Sequence, residues 1–247
     1  MLSVVTEKYY NIHYYEIDYK NRVLITNLMN YFSDIAIQQI QDINMGLDFL
    51  KEKKIAWVLY KWDIKIHRYP LYNEKIKVRT WAYGLKKFYA YRKYEIVDSN
   101  GEIIAEADSI WLLINIEKRK PIRIPDFMYD AFNISKVEQK SLKISKIKKL
   151  DRIDTEARFN VRYSDIDTNK HVNNVKYVAW AIETVPKDIV LKYELKRVKV
   201  KYVKEVEYGV VVKVRTQIIE KENEVICIHK IQDKNENELT VLQTEWR

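Results

Sequence analysis

The same order of elements is written twice along this chain. An apolar stripe at Leu28, Phe32, Ile35, Ala36, Ile40 and Ile43 follows helical spacing, with Thr26 able to cap its start and Gly46 its end. Strand-like runs follow at Ile55–Arg68, Lys75–Tyr83, Phe88–Val97 and Glu102–Ile116. A second, shorter stripe at Val175, Val178, Ala179 and Ile182 is then followed by runs at Leu195–Tyr202, Val210–Ile219, Glu224–Gln232 and Leu239–Trp246. Strands also precede each helix, at Lys8–Asp18 and Arg158–Arg162. Asp98-Ser-Asn-Gly101 and Asp233-Lys-Asn-Glu-Asn237 carry turn chemistry and make hairpins of the runs beside them. Local identities agree with a duplication: Lys77-Val-Arg-Thr80 returns as Lys213-Val-Arg-Thr216, and Tyr15-Glu-Ile-Asp18 echoes Tyr163-Ser-Asp-Ile-Asp167. A helix followed by an antiparallel meander long enough to wrap it, twice over, is an α+β architecture.

This order divides the chain into an N-terminal domain over 1–128, a linker over 129–149 and a C-terminal domain over 150–247. The linker carries the basic run Lys140-Ser-Leu-Lys-Ile-Ser-Lys-Ile-Lys-Lys149 and reads as a solvated connection.

Composition narrows the chemistry. Four glycines, with no G-x-G-x-x-G and no G-x-x-x-x-G-K-[ST] run, argue against the common nucleotide-binding loops. A single cysteine, Cys227, rules out an internal disulfide and a multi-cysteine zinc site, and the alternation around it makes it a core residue of a strand. The longest mostly apolar run, Ile110–Ile116, is far short of the ~20 residues that a membrane helix needs, so no membrane insertion and a soluble, cytoplasmic protein are expected. A net charge of +9 suits an acidic partner as well as it suits nucleic acid, and charge alone does not choose.

Polar residues are densest between Tyr163 and Pro186. Asp165, Asp167, Asn169 and His171 recur at every second position, which puts them on one face if the segment is extended, and Asn173 or Asn174 can cap the helix that Pro186 ends. As isolated residues, Asp167 and Asn169 read equally well as turn and cap residues. His13, His67 and His229 lack comparable company and are read as structural.

Taken together, these features resemble the hot-dog fold in tandem and, more closely, the acyl-acyl carrier protein thioesterases of fatty-acid synthesis. The likeness runs nearly end to end: Trp57-Val, Arg68-Tyr-Pro70, Thr80-Trp81, Ser109-Ile-Trp111 with Asn115, Arg119 and Pro125, then Asp167-Thr-Asn-Lys-His-Val-Asn-Asn-Val-Lys-Tyr177, and Thr244-Glu-Trp-Arg247. The resemblance implies a hydrolase that releases free fatty acid from acyl carrier protein without cofactor or metal, and a catalytic set of Asp167, Asn169, His171 and Glu205. Plant members place a cysteine after that glutamate, where this chain has Val206, so a cysteine nucleophile is untenable here.

Within this set Asp167 is the first choice to attack the carbonyl or activate water. Asn169 fixes the water or the carboxylate, His171 moves the proton to the leaving thiol, and Glu205 orients the imidazole. N–H groups at the start of the second helix are expected to stabilise the oxyanion. The first half places Lys20 and Arg22 opposite Asn169 and His171, and Tyr69 opposite Glu205, so one half keeps the chemistry. The other half, with Trp57, Trp62 and Trp81, is expected to supply the acyl-chain pocket. Acidic acyl carrier protein is the expected partner, with Lys196, Arg197, Lys199 and Lys201 as contacts, no nucleic acid, and a homodimer compatible with related proteins. An acyl-CoA thioesterase and a non-catalytic, ligand-sensing hot-dog regulator are the alternatives.

Overall fold

The computed structural model describes residues 3–138 and 140–247. Met1, Leu2 and Gln139, which the expected domain and linker bounds include, lie outside the described residues. Two compact units result, one of Met1–Tyr60 with His67–Ile144 and one of Lys61–Ile66 with Ser145–Arg247.

The first unit contains β1 (Val5–Asn11), α1 (Ile25–Asp42), α2 (Leu47–Glu52), β2 (Ile55–Ile66, its last six residues falling in the other unit), β3 (Lys75–Lys86), β4 (Tyr89–Val97), β5 (Ile103–Asn115), the two-residue β6 (Lys120–Pro121) and α3 (Asp126–Ala131). Its antiparallel sheet runs β1-β3-β4-β5, with β6 also on β5 and the Ile55–Tyr60 half of β2 next after β5. α1 lies against β1 and β3. Leu28, Phe32 and Ile35 are fully buried on its inner face, each stabilising the fold by about 1.5–3 kcal/mol.

The helix begins at Ile25 with Leu24 as cap, so Thr26 sits inside the first turn rather than capping it. Its end is made by Asn44 in the left-handed region (φ 57°), whose N–H reaches Gln41 O while Met45 N–H reaches Ile40 O. Gly46, expected to stop α1, instead begins α2.

The second unit repeats the plan with β7 (Thr155–Asn160), α4 (Asn174–Ile182), α5 (Lys187–Lys192), β8 (Leu195–Tyr202), β9 (Val211–Lys221), β10 (Glu224–Gln232) and β11 (Glu238–Trp246). Its sheet runs β7-β9-β10-β11-β8, and Lys61–Lys65 of β2 pairs with β8. Pro186 does not end α4, which stops at Ile182; it begins α5.

The duplication extends to strand register. Thr6 pairs with Thr80 as Thr155 pairs with Thr216, and Thr80 faces Tyr94 as Thr216 faces His229. Trp111 Nε1 donates to Ser109 Oγ at 2.7 Å, and Trp246 Nε1 donates to Thr244 Oγ1 at 2.9 Å. Each unit is a helix wrapped by an antiparallel sheet, the tandem hot-dog arrangement expected from the sequence.

Residues 129–154 are less free than their charge suggests. Tyr129 and Phe132 are buried in a cluster with Leu85, Leu113 and Met128. The chain then crosses β3 at Gly84, where a Cβ would stand 2.2 Å from the Lys140 carbonyl oxygen. Its far end is stitched to β9 through Asp151 N–H to Gln217 Oε1 (2.9 Å) and Ile218 N–H to Asp154 Oδ2 (2.7 Å).

Candidate active site

Between β7 and α4 the chain does not run extended, so the every-second-residue face expected from sequence does not form. Tyr163–Asp165 makes one turn of 3₁₀ helix, Ile166 bridges Val172, and residues 167–171 form a turn in which Lys170 takes the left-handed conformation (φ 65°). Asp165 leaves the expected polar face altogether. It is completely buried, accepts from the Arg162 backbone N–H (2.9 Å) and pairs with the Arg162 guanidinium and Lys176. Burial alone would raise its pKa, but the Arg162 contacts and the Lys176 charge hold it below the ordinary carboxylate range.

Asp167 is the hub of the turn. Its Oδ1 accepts from Asn169 N–H at 2.8 Å and from His171 N–H at 3.4 Å, while its own N–H donates to the His171 carbonyl at 2.8 Å. The first unit contains the same turn atom for atom. Asp18 Oδ1 accepts from Lys20 N–H (2.8 Å) and Arg22 N–H (3.0 Å), Asp18 N–H donates to Arg22 O (2.7 Å), Ile17 bridges Val23, and Asn21 is left-handed at φ 64°. A carboxylate at this position therefore builds the loop whether or not the loop carries chemistry.

The side chains it displays differ. In the second unit His171 Nδ1 lies 3.2 Å from Glu205 Oε2. In the first, Arg22 lies over the Tyr69 ring, 5.6 Å from its centroid, and pairs with Asp18 at 3.5 Å. Backbone contacts show that these positions correspond: Val172 N–H donates to Val206 O as Val23 N–H donates to Pro70 O.

The structure thus brings His171 and Glu205 together and puts Asn169 and His171 on the wall of an open cleft completed by Lys170, Glu207 and Tyr208. Glu207 and Tyr208 escaped the sequence reading because they lie in an irregular segment with no recognisable spacing. Asn169 is exposed, and among the described residues its side chain makes no hydrogen bond, which leaves its amide for a ligand. Asp167 is not part of the cleft wall.

Two of the expected oxyanion donors at the start of α4 are already engaged. Asn173 caps the helix, taking Val175 N–H on its side chain at 3.0 Å and Lys176 N–H on its carbonyl at 2.9 Å. A further residue lies behind the cleft. Tyr177 is buried beside Trp180 and Tyr202, with its hydroxyl close to the Val206 backbone. Val206 is itself held by Val172 N–H on its carbonyl, one residue from Glu205. The first-unit counterpart of Tyr177 is Leu28, and that difference between the halves was the available signal.

Of the four basic residues expected to receive a partner, three are committed within the fold. Lys196 pairs with Glu194, Arg197 forms a two-pronged pair with Asp63 (2.8 and 2.8 Å), and Lys199 is buried against Glu245 (3.5 Å). The exposed cations nearest the cleft in sequence are Lys170, on its wall, and Lys204, beside Glu205.

Residues 3–132 match the acyl-ACP thioesterase N-terminal domain, and residues 148–247 match the C-terminal domain of the same family. The chain belongs to the acyl-ACP thioesterase family. Among curated relatives, it is 26% identical over 216 residues to the chloroplastic palmitoyl-acyl carrier protein thioesterase of Cuphea hookeriana, covering 82% of this chain and 52% of that protein. The chain thus spans about half the length of the first curated relatives it matches. The structure of the 12:0-ACP thioesterase from Umbellularia californica superposes with a TM-score of 0.88 at 26% identity, covering 98% of this chain and 94% of that one. A Lactobacillus plantarum structure reaches a TM-score of 0.94 at 24% identity, over 99% of this chain and 96% of its own, and supports the fold.

The remaining histidines do not join the site. His13 pairs with Glu16 and His67 with Glu106. His229 is enclosed by Thr216, Thr244 and Thr184 hydroxyls. Cys227 is completely buried, and burial pushes its thiol up to about 12. Among the described residues, no helix is long and apolar enough to cross a membrane.

Proposed function

We propose that this chain hydrolyses the thioester of a fatty acyl chain carried on acyl carrier protein, using His171 as the base. The observation that carries the reading is the contrast between two copies of one loop. Their backbones agree, and only the second displays His171 on Glu205 beside a cleft.

With Nδ1 held by Glu205, His171 presents Nε2 to the cleft. A water oxygen attacks the thioester carbonyl carbon while Nε2 takes the water's proton. The oxyanion that forms accepts a hydrogen bond from the Asn169 amide, which stands in for the helix N–H groups that the Asn173 cap consumes. The C–S bond then breaks, the imidazolium returns its proton to the departing thiolate, and the fatty acid leaves. Glu205 offsets the imidazolium charge, Asp167 holds the loop, and Tyr177 backs the Val206 backbone next to Glu205.

In this reading the first unit receives the acyl chain in its apolar cavity, lined by Ile37, Ile40, Trp57, Leu85 and Trp111 among others. Trp57 was among the expected pocket residues, whereas Trp111 takes the place that Trp62 and Trp81 were expected to share. Lys170 and Lys204 offer the acidic carrier a basic approach, and the enzyme works in the cytoplasm alongside it.

The deciding assay compares dodecanoyl chains on carrier protein and on CoA, with wild type and His171→Ala. Faster cleavage from carrier protein and a ~10²–10⁴-fold loss in the variant are expected. A strong preference for CoA would overturn the carrier assignment, and an undiminished rate in the variant would overturn the site.

A further inference from the structure

The first unit buries a cation that the proposed hydrolysis does not use. Arg92, on β4, is 7% exposed and lines the apolar cavity between α1 and the sheet. Its Nη1 donates to Gln39 Oε1 at 2.5 Å and to Thr80 Oγ1 at 3.2 Å, and its guanidinium lies 5.8 Å from the centre of the Phe132 ring. Gln39, itself fully buried, cannot turn its amide over. Its Nε2 is fixed by Val4 O (3.0 Å), Thr6 Oγ1 (3.2 Å) and Thr80 O (3.3 Å), so Oε1 must face Arg92. The guanidinium is therefore clamped at one corner by a prebuilt network of neutral groups.

What it lacks is an anion. Other buried charges have theirs: Asp165 has Arg162 and Lys176, and Lys199 has Glu245. Among the described residues no carboxylate pairs with Arg92, and its hydrogen bonds all leave from Nη1, so Nε and Nη2 find no protein acceptor. A buried cation without a counter-charge is costly. Nor does the fold demand it, because the corresponding position of the second unit, where Cys227 faces Thr244 as Arg92 faces Ser109, holds a buried thiol.

We propose that Arg92 forms a carboxylate subsite in this cavity. Nε and Nη2 present two parallel N–H groups to both oxygens of an alkyl carboxylate, and the hydrocarbon lies against Ile37, Ile40, Trp57, Leu85 and Trp111. Two ligands carry that chemistry: a free fatty acid entering head first, and a carrier-bound acyl chain with a second carboxylate at its far end. The subsite does not depend on turnover, so it can be tested directly.

Calorimetric titration of the full chain with dodecanoate and with dodecanol at pH 7.5 reads it. Dodecanoate is expected to bind about ten-fold or more tightly than the alcohol, as a charge-assisted fork requires. The preference persists in His171→Ala and disappears in Arg92→Met. Equal affinities in the wild type, a preference that survives in Arg92→Met, or one abolished by His171→Ala overturns the proposal. An NMR measurement needs no substitution: the Arg92 Nε–H resonance must shift on adding dodecanoate and stay in place with dodecanol, and no shift with either also overturns it. Comparing hydrolysis of dodecanoyl and 11-carboxyundecanoyl chains on carrier protein separates the two sources. Faster cleavage of the carboxylated chain, lost in Arg92→Met, identifies a substrate carboxylate, and dodecanoate binding without that difference identifies a free fatty acid. Dodecanoate bound at Arg92 in a protein that cleaves no acyl thioester would sink the proposed function and leave the subsite standing.

Discussion

Asp167 was the sequence's first candidate for the attacking group, and the duplicated loop supplies an internal control for that idea. Its Oδ1 receives one good backbone bond at 2.8 Å and one long bond at 3.4 Å. Bonds to a charged acceptor contribute ~1.5–3 kcal/mol, and partial exposure puts these at the low end, so Asp167→Ala is expected to cost about 2 kcal/mol of stability. Asp18→Ala removes two good bonds, at 2.8 and 3.0 Å, and the Arg22 pair, for about 3 kcal/mol. Asp167→Asn is the informative variant, because asparagine keeps Oδ1 and loses only the charge. Urea unfolding should show it within about 1 kcal/mol of wild type. Hydrolysis of dodecanoyl-carrier protein should stay within about ten-fold of wild type, against the ~10²–10⁴-fold loss expected for His171→Ala. If Asp167→Asn is as inactive as His171→Ala while unfolding like wild type, the carboxylate charge takes part in the chemistry and the loop-building account is wrong.

Other consequences are open to measurement. Tyr177→Phe removes the hydroxyl that lies beside the Val206 backbone and should lower kcat about ten-fold or more with KM nearly unchanged. Tyr202→Phe, which loses only a bond to the Asn174 carbonyl, should keep kcat, and equal rates for both variants would rule out the positioning role. His229 is held neutral by burial, its pKa pushed down to about 3 from 6.5. Unfolding therefore takes up a proton below pH 6.5, and stability should fall by ~1.4 kcal/mol per pH unit from there toward pH 3, or about 2 kcal/mol by pH 5. His229→Gln should flatten that slope in urea titrations at pH 7.5 and 5, and an unchanged slope would exclude His229 as its source. Cys227, buried with its thiol near 12, should resist alkylation in the folded protein, and Cys227→Ala should cleave substrate at the wild-type rate. Rapid inactivation by iodoacetamide would contradict this placement.

Much of the architecture was legible because duplication doubled the signal. The strands Leu195–Tyr202 and Glu224–Gln232 appear within the bounds that alternation indicated, and the cap at Asn173 is as expected. Helix ends were harder to read, because Asn44 performs the left-handed stop that a glycine usually makes and Gly46 was free to begin the next helix. The polar loop misled for a physical reason. Period two is a property of extended chain, and the Asp167 bonds curl the segment so that Asp165 points into the core while Asn169 and His171 reach the cleft. Lys199 looked like a surface residue for want of any local sign that Glu245, distant in the chain, would meet it across β8 and β11. Arg92 gave no signal at all, since only the fold shows that, among the described residues, no carboxylate pairs with it.

The Arg22–Tyr69 pair bears on why the proposed chemistry falls to the second copy of the loop. Its backbone could present a base as well as the second copy does, and its shape is not at fault. A guanidinium keeps its proton at every pH the protein meets, so an arginine in the place of a histidine can neither take a proton from water nor hand one to a thiolate. The two halves thus differ less in form than in proton affinity, and in the proposed reaction a single exchangeable proton sets the second loop apart from the first.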